Sequence, residues 1–314
     1  MTSLSPASPG DRQSTVQSRR AIKNGVNRPV LHWTCGRFHV DVSQRRVMGI
    51  VNVTPDSFSD GGRHANTASA LAHCEAMLKA GADMLDIGGE SSRPGAPPLP
   101  LAEELARVLP VVQEAVKFQI PLSVDTYKAE VMQAVLDAGA DIINDIWALR
   151  QPGALQAVAR HANCGICLMH MHGEPQSMQS APLSTKPENT AFDQVLRFLK
   201  QRTDDLLADG VDKARISWDV GTGFGKTVAQ NFELLARHAD FTAMRYPLWA
   251  GWSRKSSLGT VTDLPVDQRM IPSLVAALLA VERGARIVRV HDVAETVQAL
   301  KVWQAMAQAS PDNC

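Results

Sequence analysis

Eight short apolar runs, each followed by a longer amphipathic stretch, constrain this chain more than any other feature of its sequence. The runs cover residues 47–53, 84–88, 120–124, 141–146, 165–169, 216–220, 248–252 and 287–290. Each is nearly continuously apolar, as in a parallel strand covered on both faces. Helix-like segments follow near 66–80, 101–117, 128–138, 153–162, 187–208, 228–238, 266–283 and 293–307. Ala-Gly-Ala-Asp at 80–83 and 138–141, Asp-Gly-Val-Asp at 209–212 and Arg-Gly-Ala-Arg at 283–286 place a Gly where a helix closes before the next strand. Strand-then-helix units in unbroken series predict a single (β/α)₈ TIM barrel. A doubly wound open sheet is the alternative. It wants G-x-G-x-x-G after the first strand, where Asn52-Val53-Thr54-Pro55 stands instead.

The barrel domain is expected over 29–314. Residues 1–28 hold five Ser and the bases Arg12, Arg19, Arg20, Lys23 and Arg28 against one acid, Asp11. Such a segment buries too little surface to offset its ordering entropy and is expected to be a disordered tail. A mitochondrial transit peptide shares that composition, but amphipathic periodicity is weak here. The whole chain carries 32 basic and 32 acidic residues. That balance argues against bulk affinity for nucleic acid or an anionic membrane. No apolar run approaches the roughly 18 residues a membrane span requires. The five cysteines, at 35, 74, 164, 167 and 314, are scattered and odd in number. A reducing, cytoplasmic setting is therefore expected.

In a (β/α)₈ barrel, chemistry sits at the C-terminal strand ends. Those positions hold Asn52, Ser91-Ser92-Arg93, Asp125, Asn144, His170, Asp219, Ser253-Arg254-Lys255, and Arg289 with His291. Polar residues are common where strands run into loops, which accounts for several. It does not account for Asp125, Asn144 and Asp219, which follow or interrupt apolar runs where burial is costly without partners. One polar pocket at the barrel mouth is expected. Two other patterns invite chemistry. Residues 221–227 end in Gly-Lys-Thr, but a phosphate loop needs Gly where Val220 stands. His161, Cys164, Cys167, His170 and His172 suggest zinc, but a strand turns residues three apart to opposite faces. Buried structural thiols are the better reading.

Several of these residues lie in longer motifs. Residues 48–62 read MGIVNVTPDSFSDGG and 86–95 read DIGGESSRPG; Ser123-Val124-Asp125-Thr126, Ile143-Asn144-Asp145, Leu168-Met169-His170-Met171, Ser253-Arg254-Lys255-Ser256 and Arg289-Val290-His291-Asp292 follow. In this order, from about residue 45 to 300, the chain resembles the dihydropteroate synthase family of pterin-binding barrel enzymes. The resemblance implies a transferase of folate biosynthesis. It joins 6-hydroxymethyl-7,8-dihydropterin diphosphate to 4-aminobenzoate, giving 7,8-dihydropteroate and diphosphate. Diphosphate leaves first, a pterin cation forms, and the aniline nitrogen attacks it.

By the same resemblance, Asp219 accepts two parallel hydrogen bonds from the pterin 2-amino group and N3–H, a strong and selective arrangement. Asn144 meets the mixed edge of the ring, Lys255 its carbonyl and N5. Asp125 lies beside the ring nitrogens, and Ile146, Met169 and Gly251 form walls and floor. Arg289 and His291 take the diphosphate, with Mg²⁺ held through Asn52. Phe58, Ser92, Arg93, Pro94 and Ser253 build the 4-aminobenzoate pocket, which sulfonamides would occupy. Asp125, Lys255, Asp56 and Arg93 form the implied catalytic set, and loops 54–62 and 91–100 act as lids. The family implies a homodimer through late helices, for which 276–281 is apolar enough. One position departs: Thr222 stands where the family carries a bulky apolar residue near the pterin. Two rivals are weighed: a methyltransferase on the same barrel, which would not need Arg93, Lys255, Arg289 and His291 together, and a silent paralogue that only binds pterin.

Overall fold

The computed structural model describes residues 31–54, 62–91 and 95–309, without the side chains of 62–66. The 1–28 tail and the expected site residues Asp56, Phe58, Ser92, Arg93 and Pro94 lie outside the described residues. The described chain opens with an antiparallel hairpin, β1 (His32–Cys35) and β2 (Phe38–Asp41). Eight parallel strands follow: β3 (Arg46–Asn52), β4 (Met84–Gly88), β5 (Leu122–Asp125), β6 (Ile142–Asp145), β7 (Gly165–Met169), β8 (Ile216–Asp219), β9 (Leu248–Ala250) and β10 (Ile287–Val290). They pair in chain order, and β10 pairs back to β3, closing the barrel. Outside run α1 (Gly62–Ala80), α2 (Leu101–Ala115), α3 (Ala129–Asp137), α4 (Ala154–Arg160), α5 (Ala191–Ala208), α6 (Val228–Ala236), α7 (Ser256–Thr262), α8 (Met270–Glu282) and α9 (Val293–Ala309). None of the described helices is long and apolar enough to cross a membrane.

Continuous apolar runs work here because each strand serves two cores. Outward residues such as Val47, Leu85, Ile87, Val124, Ile143, Leu168 and Val288 pack with helix residues such as Val108, Val112, Val135, Val195 and Leu199. The alternate residues Met48, Met84, Ile142, Cys167, Trp249 and Ile287 form a second cluster inside the barrel. Cys164 belongs to the outer layer and Cys167 to the inner one, which separates the two thiols of the C-x-x-C.

The hairpin was not foreseen, and it closes the bottom of the barrel. Trp33, Cys35 and Val42 join the inner cluster. Trp33 meets Trp249 edge to face at 5.9 Å and donates its indole N–H to the Arg215 carbonyl at 2.9 Å. At the hairpin turn Gly36 has φ +58, and a Cβ there would lie 2.4 Å from Asp141. The next residue, Arg37, reaches that buried carboxylate with Nε at 3.0 Å and Nη2 at 2.8 Å. Trp33→Ala should cost about 3–5 kcal/mol of stability, the usual loss for a large buried aromatic. Denaturant unfolding measures this. A loss below about 1 kcal/mol would show that Trp33 does not seal the floor.

The seventh unit differs from the single helix expected over 266–283. It has two helices, α7 and α8, separated by a break. Asp263 ends α7 in the left-handed conformation, φ 56. Pro265 lacks an N–H and disfavours helix at Leu264, so the chain restarts beyond it.

Candidate active site

The inner faces of the strands change character toward the mouth. Above the apolar floor lie Asp86 on β4, Ser123 on β5 and Ser217 on β8, all fully buried. One step higher come Asp125, Asn144, Asp219 and Arg289. Along the sheet Asp86 pairs with Ser123, Gly88 with Asp125, Asp125 with Asn144, and Met169 with Asp219. Gly88 and Gly251 contribute no side chain to this ring. A Cβ at Gly251 would lie 3.6 Å from Asp219 Oδ2, so any longer side chain there would cover that carboxylate.

Arg289 is the hub. Its Nε donates to Asp86 Oδ2 at 2.5 Å and its Nη2 to Asp125 Oδ2 at 2.8 Å. Asn144 donates to the same Asp86 oxygen at 3.0 Å. Burial opposes the Arg289 charge, but Asp86 and Asp125 hold its pKa above the ordinary value. Burial pushes Asp125 up to about 7, against the opposing pull of Arg289; Asp86, Asp145 and Glu104 add to the rise. Asp219 is raised by burial too, and a 2.7 Å hydrogen bond from the Gly221 N–H partly offsets this. Burial pushes Lys255 down to about 8, although Asp219 favours its charge. The Lys255 ammonium lies 4.2 Å from the centre of the Phe224 ring.

His291 is pushed down to about 3, first by burial and then by Arg289 and Arg254, so it is neutral near pH 7. Its Nδ1 lies 2.9 Å from Ser253 Oγ. Ser253, expected against 4-aminobenzoate, is therefore also tied to the residue expected on the diphosphate. Asn52 ends β3, half-buried, across from Gly88.

One side of this polar ring is apolar. Ile146, Met169, Met171, Met178 and Phe224 form a single buried cluster, with Tyr127 and Trp147 packed on it. Ile146 and Met169 were expected as walls. Phe224 is set by the turn at 221–226, whose lysine is used up within the fold. Lys226 donates to the carbonyls of His170, Gly221 and Phe224 at 3.1, 2.7 and 3.1 Å. Gly221 has φ +70, and a Cβ there would lie 1.8 Å from the His170 carbonyl oxygen. Thr222 is 4% exposed within this turn.

A second ion-pair group backs the mouth. Lys128 contacts Glu90 and, at 2.5 Å, the buried Glu104. Glu104 also accepts from Thr126 at 2.6 Å, and Glu90 from Tyr127 at 2.8 Å. These bonds hold the β5–α3 connection against α2 and fix the residue from which the 91–100 loop departs.

The fold brings Asp125, Asn144, Ile146, Met169, Asp219, Gly251, Ser253, Lys255, Arg289 and His291 to one bowl at the barrel mouth. It adds a residue the strand-end reading passes over. Asp86 lies in mid-strand, and the signal that finds it is the one that marks Asp219: a carboxylate inside an otherwise apolar run.

The model for pterin binding enzymes matches residues 48–291. A dihydropteroate synthase from Haemophilus influenzae is 49% identical over 272 residues, covering 86% of this chain and 97% of that protein. Two crystal structures of similar enzymes superpose closely. The Yersinia pestis dihydropteroate synthase in a sulfonamide drug complex is 45% identical, with a TM-score of 0.83 over 88% of this chain and 100% of that one. The Burkholderia cenocepacia dihydropteroate synthase complexed with 7,8-dihydropteroate is 48% identical, with a TM-score of 0.79 over 88% of this chain and 97% of that one. A polar bowl with one apolar wall, on a barrel this similar and with motifs this continuous, admits one family assignment: the chain belongs to the dihydropteroate synthases, the pterin-binding barrel enzymes.

Proposed function

We propose that the bowl at the barrel mouth holds the pterin of 6-hydroxymethyl-7,8-dihydropterin diphosphate, and that its buried carboxylates serve the cation formed when diphosphate leaves. The reaction itself is that of the family: the dihydropterin diphosphate and 4-aminobenzoate are joined to 7,8-dihydropteroate, and diphosphate is released. The observation that carries the site reading is the convergence of Asp125, Asn144, Asp219 and Lys255 at the strand ends beside the buried cluster of Ile146, Met169 and Phe224: Asp125 pairs with Asn144, Asp219 with Met169, and Lys255 lies over the Phe224 ring. A flat, polar-edged ring needs both kinds of surface. Asp219 accepts the 2-amino and N3 protons; its carboxylate has acceptor capacity beyond the bond to Gly221. Lys255 leaves the Phe224 face to donate to the ring carbonyl and N5. His291, neutral and oriented by Ser253, offers an N–H to the diphosphate, and Arg289 supplies charge beneath it.

The residues present fit a shared Mg²⁺ site. Asn52 offers a neutral oxygen at the end of β3, a ligand type that hard cations take, with water and phosphate to supply the remaining oxygens. When bound, the ion would neutralise the leaving diphosphate.

The 4-aminobenzoate site is assigned to Phe58, Ser92, Arg93, Pro94 and Ser253, with Asp56 and Arg93 completing the catalytic set. The similar Yersinia pestis enzyme forms a sulfonamide drug complex, which supports sulfonamide binding by this chain. Sulfonamides should inhibit competitively against 4-aminobenzoate in steady-state assays. Inhibition that excess 4-aminobenzoate does not relieve would remove this pocket assignment.

A homodimer is part of this reading, with its surface redrawn. Within the 276–281 stretch, Ala276, Ala277, Ala280 and Val281 are buried against the barrel. The exposed stripe of α8 is Ile271, Val275 and Leu279, spaced by one turn. A second copy of the chain would cover it. Ile271→Asp should turn a dimer into a monomer in sedimentation equilibrium, and a wild type already monomeric at tens of micromolar would rule the dimer out. The described cysteines 35, 74, 164 and 167 are free and buried. Unpaired thiols suit the reducing cytoplasm in which we place the enzyme.

A further inference from the structure

We propose that Asp86 is a positioning residue of this reaction: from beneath the bowl it fixes Arg289 and Asn144 and keeps Asp125 free to act on the pterin. The inference rests on the role given to Asp125 above. Three observations carry it. The first is the cost of the arrangement. Asp86 is fully buried in mid-strand, and its Oδ1 has no hydrogen-bond partner among the described residues. One step lower on the same strand the barrel interior accepts Met84, also fully buried. An apolar residue would serve stability at least as well as a buried charge. Asp86 is explained by the layer above it.

The second is the geometry of Arg289. Its Nε is committed to Asp86, which fixes the plane of the guanidinium, while only Nη2 reaches Asp125. Two carboxylates thus share one cation, and Asp125 keeps charge to offer. If Asp86 lost its charge, Asp125 would be the one ion-pair partner left to Arg289 among its described contacts. The pair would close, and the carboxylate would be spent on the arginine. The third is Asn144. A carboxylate only accepts, so the Asn144 group facing Asp86 must be its NH₂. That leaves the amide oxygen for the bowl.

The test is a double-mutant cycle with Asp86→Asn, which keeps shape and removes charge, and Asp125→Asn. Partners that orient reactive groups elsewhere cost about 10–100-fold when replaced, and the same order is expected for the kcat of Asp86→Asn. The KM for 4-aminobenzoate should stay within about twofold, because the described partners of Asp86 are Arg289 and Asn144, neither of them assigned to that pocket. The acid limb of the kcat profile should move to lower pH. Asp125 is faced by Arg289, Asp86, Asp145, Glu104 and Lys255. Losing the Asp86 charge and tightening the Arg289 pair both favour its ionised form. In the Asp125→Asn background, Asp86→Asn should add less than about threefold, because both act through one carboxylate. A wild-type kcat with an unmoved acid limb, or losses that simply multiply, would overturn the proposal. A normal kcat for Asp125→Asn alone would instead sink the underlying reading. Should Asp86→Asn fold poorly by near-ultraviolet circular dichroism, Asp86→Ser carries the same comparisons.

Discussion

Replacing Asp125 by Asn is expected to lower kcat by about 10²–10³-fold, the usual loss for one preorganised electrostatic contact, with a smaller loss of pterin affinity. Asp125 ends β5 at the rim of the bowl and holds Arg289 at 2.8 Å. In the dissociative path, positive charge spreads over the pterin as the carbon–oxygen bond breaks. A fixed carboxylate nearby favours that charge most in the transition state, where it is greatest. Asn preserves the shape and removes the effect, so the loss falls on kcat rather than KM. The pH dependence has a definite sign. Burial raises Asp125 to about 7, so its proton returns as the pH falls through that region and kcat falls with it. Steady-state kinetics with pterin-binding calorimetry makes the measurement. A normal kcat with only a raised KM would reduce Asp125 to a group that holds the ring.

Asp219→Asn should act at the other end of the energy profile. In the proposed pose the carboxylate accepts from two parallel pterin donors. In Asn one oxygen becomes an NH₂, which meets a donor with a donor. Hydrogen bonds to charged groups contribute about 1.5–3 kcal/mol each, and an unmatched buried donor costs a similar amount. Pterin diphosphate binding should weaken by about 10²–10³-fold, at about 1.4 kcal/mol per tenfold. The Kd from calorimetry and the KM should rise together, with kcat at saturation changing less. A Kd within about threefold of wild type would show that the ring docks elsewhere.

Most of the barrel was legible because its signal is local. A strand covered on both faces needs a short, continuous apolar run, and a run such as 165–169 announces itself without knowledge of its neighbours. The hairpin of β1 and β2 could not be read this way. Its strands have four residues each. What makes them a structure is the barrel floor and Asp141, more than a hundred residues along the chain. The helix expected over 266–283 starts past Pro265 and matches α8; what went unread is α7, a helix of seven residues ahead of that proline and too short to show a periodic face.

The bowl was legible to the extent that it lies at strand ends. Asp125, Asn144 and Asp219 stand out because each puts a polar group where an apolar one would be cheaper. How they are wired was not legible. The pair Arg289–Asp86 joins residues 203 apart, neighbours only because β10 closes onto β3. Arg289 reads as a diphosphate ligand from its position, while the structure shows it holding two carboxylates at once. Resemblance supplied a role for each residue singly. The shared guanidinium emerges only when the barrel is closed.

On the proposed path these carboxylates serve a pterin cation formed before the amine attacks. Dihydropterin diphosphate carrying ¹⁸O in the bridge between its methylene carbon and phosphorus tests it most directly. Incubated with the enzyme and Mg²⁺ but without 4-aminobenzoate, the label should scramble into the non-bridging oxygens of the recovered substrate, because the bond breaks and reforms while diphosphate stays bound. The scrambling should slow by about the same factor as kcat in Asp125→Asn. Recovered substrate with its label still wholly in the bridge, after many turnover times, would show that the carbon–oxygen bond breaks only as the amine attacks, and would contradict the account.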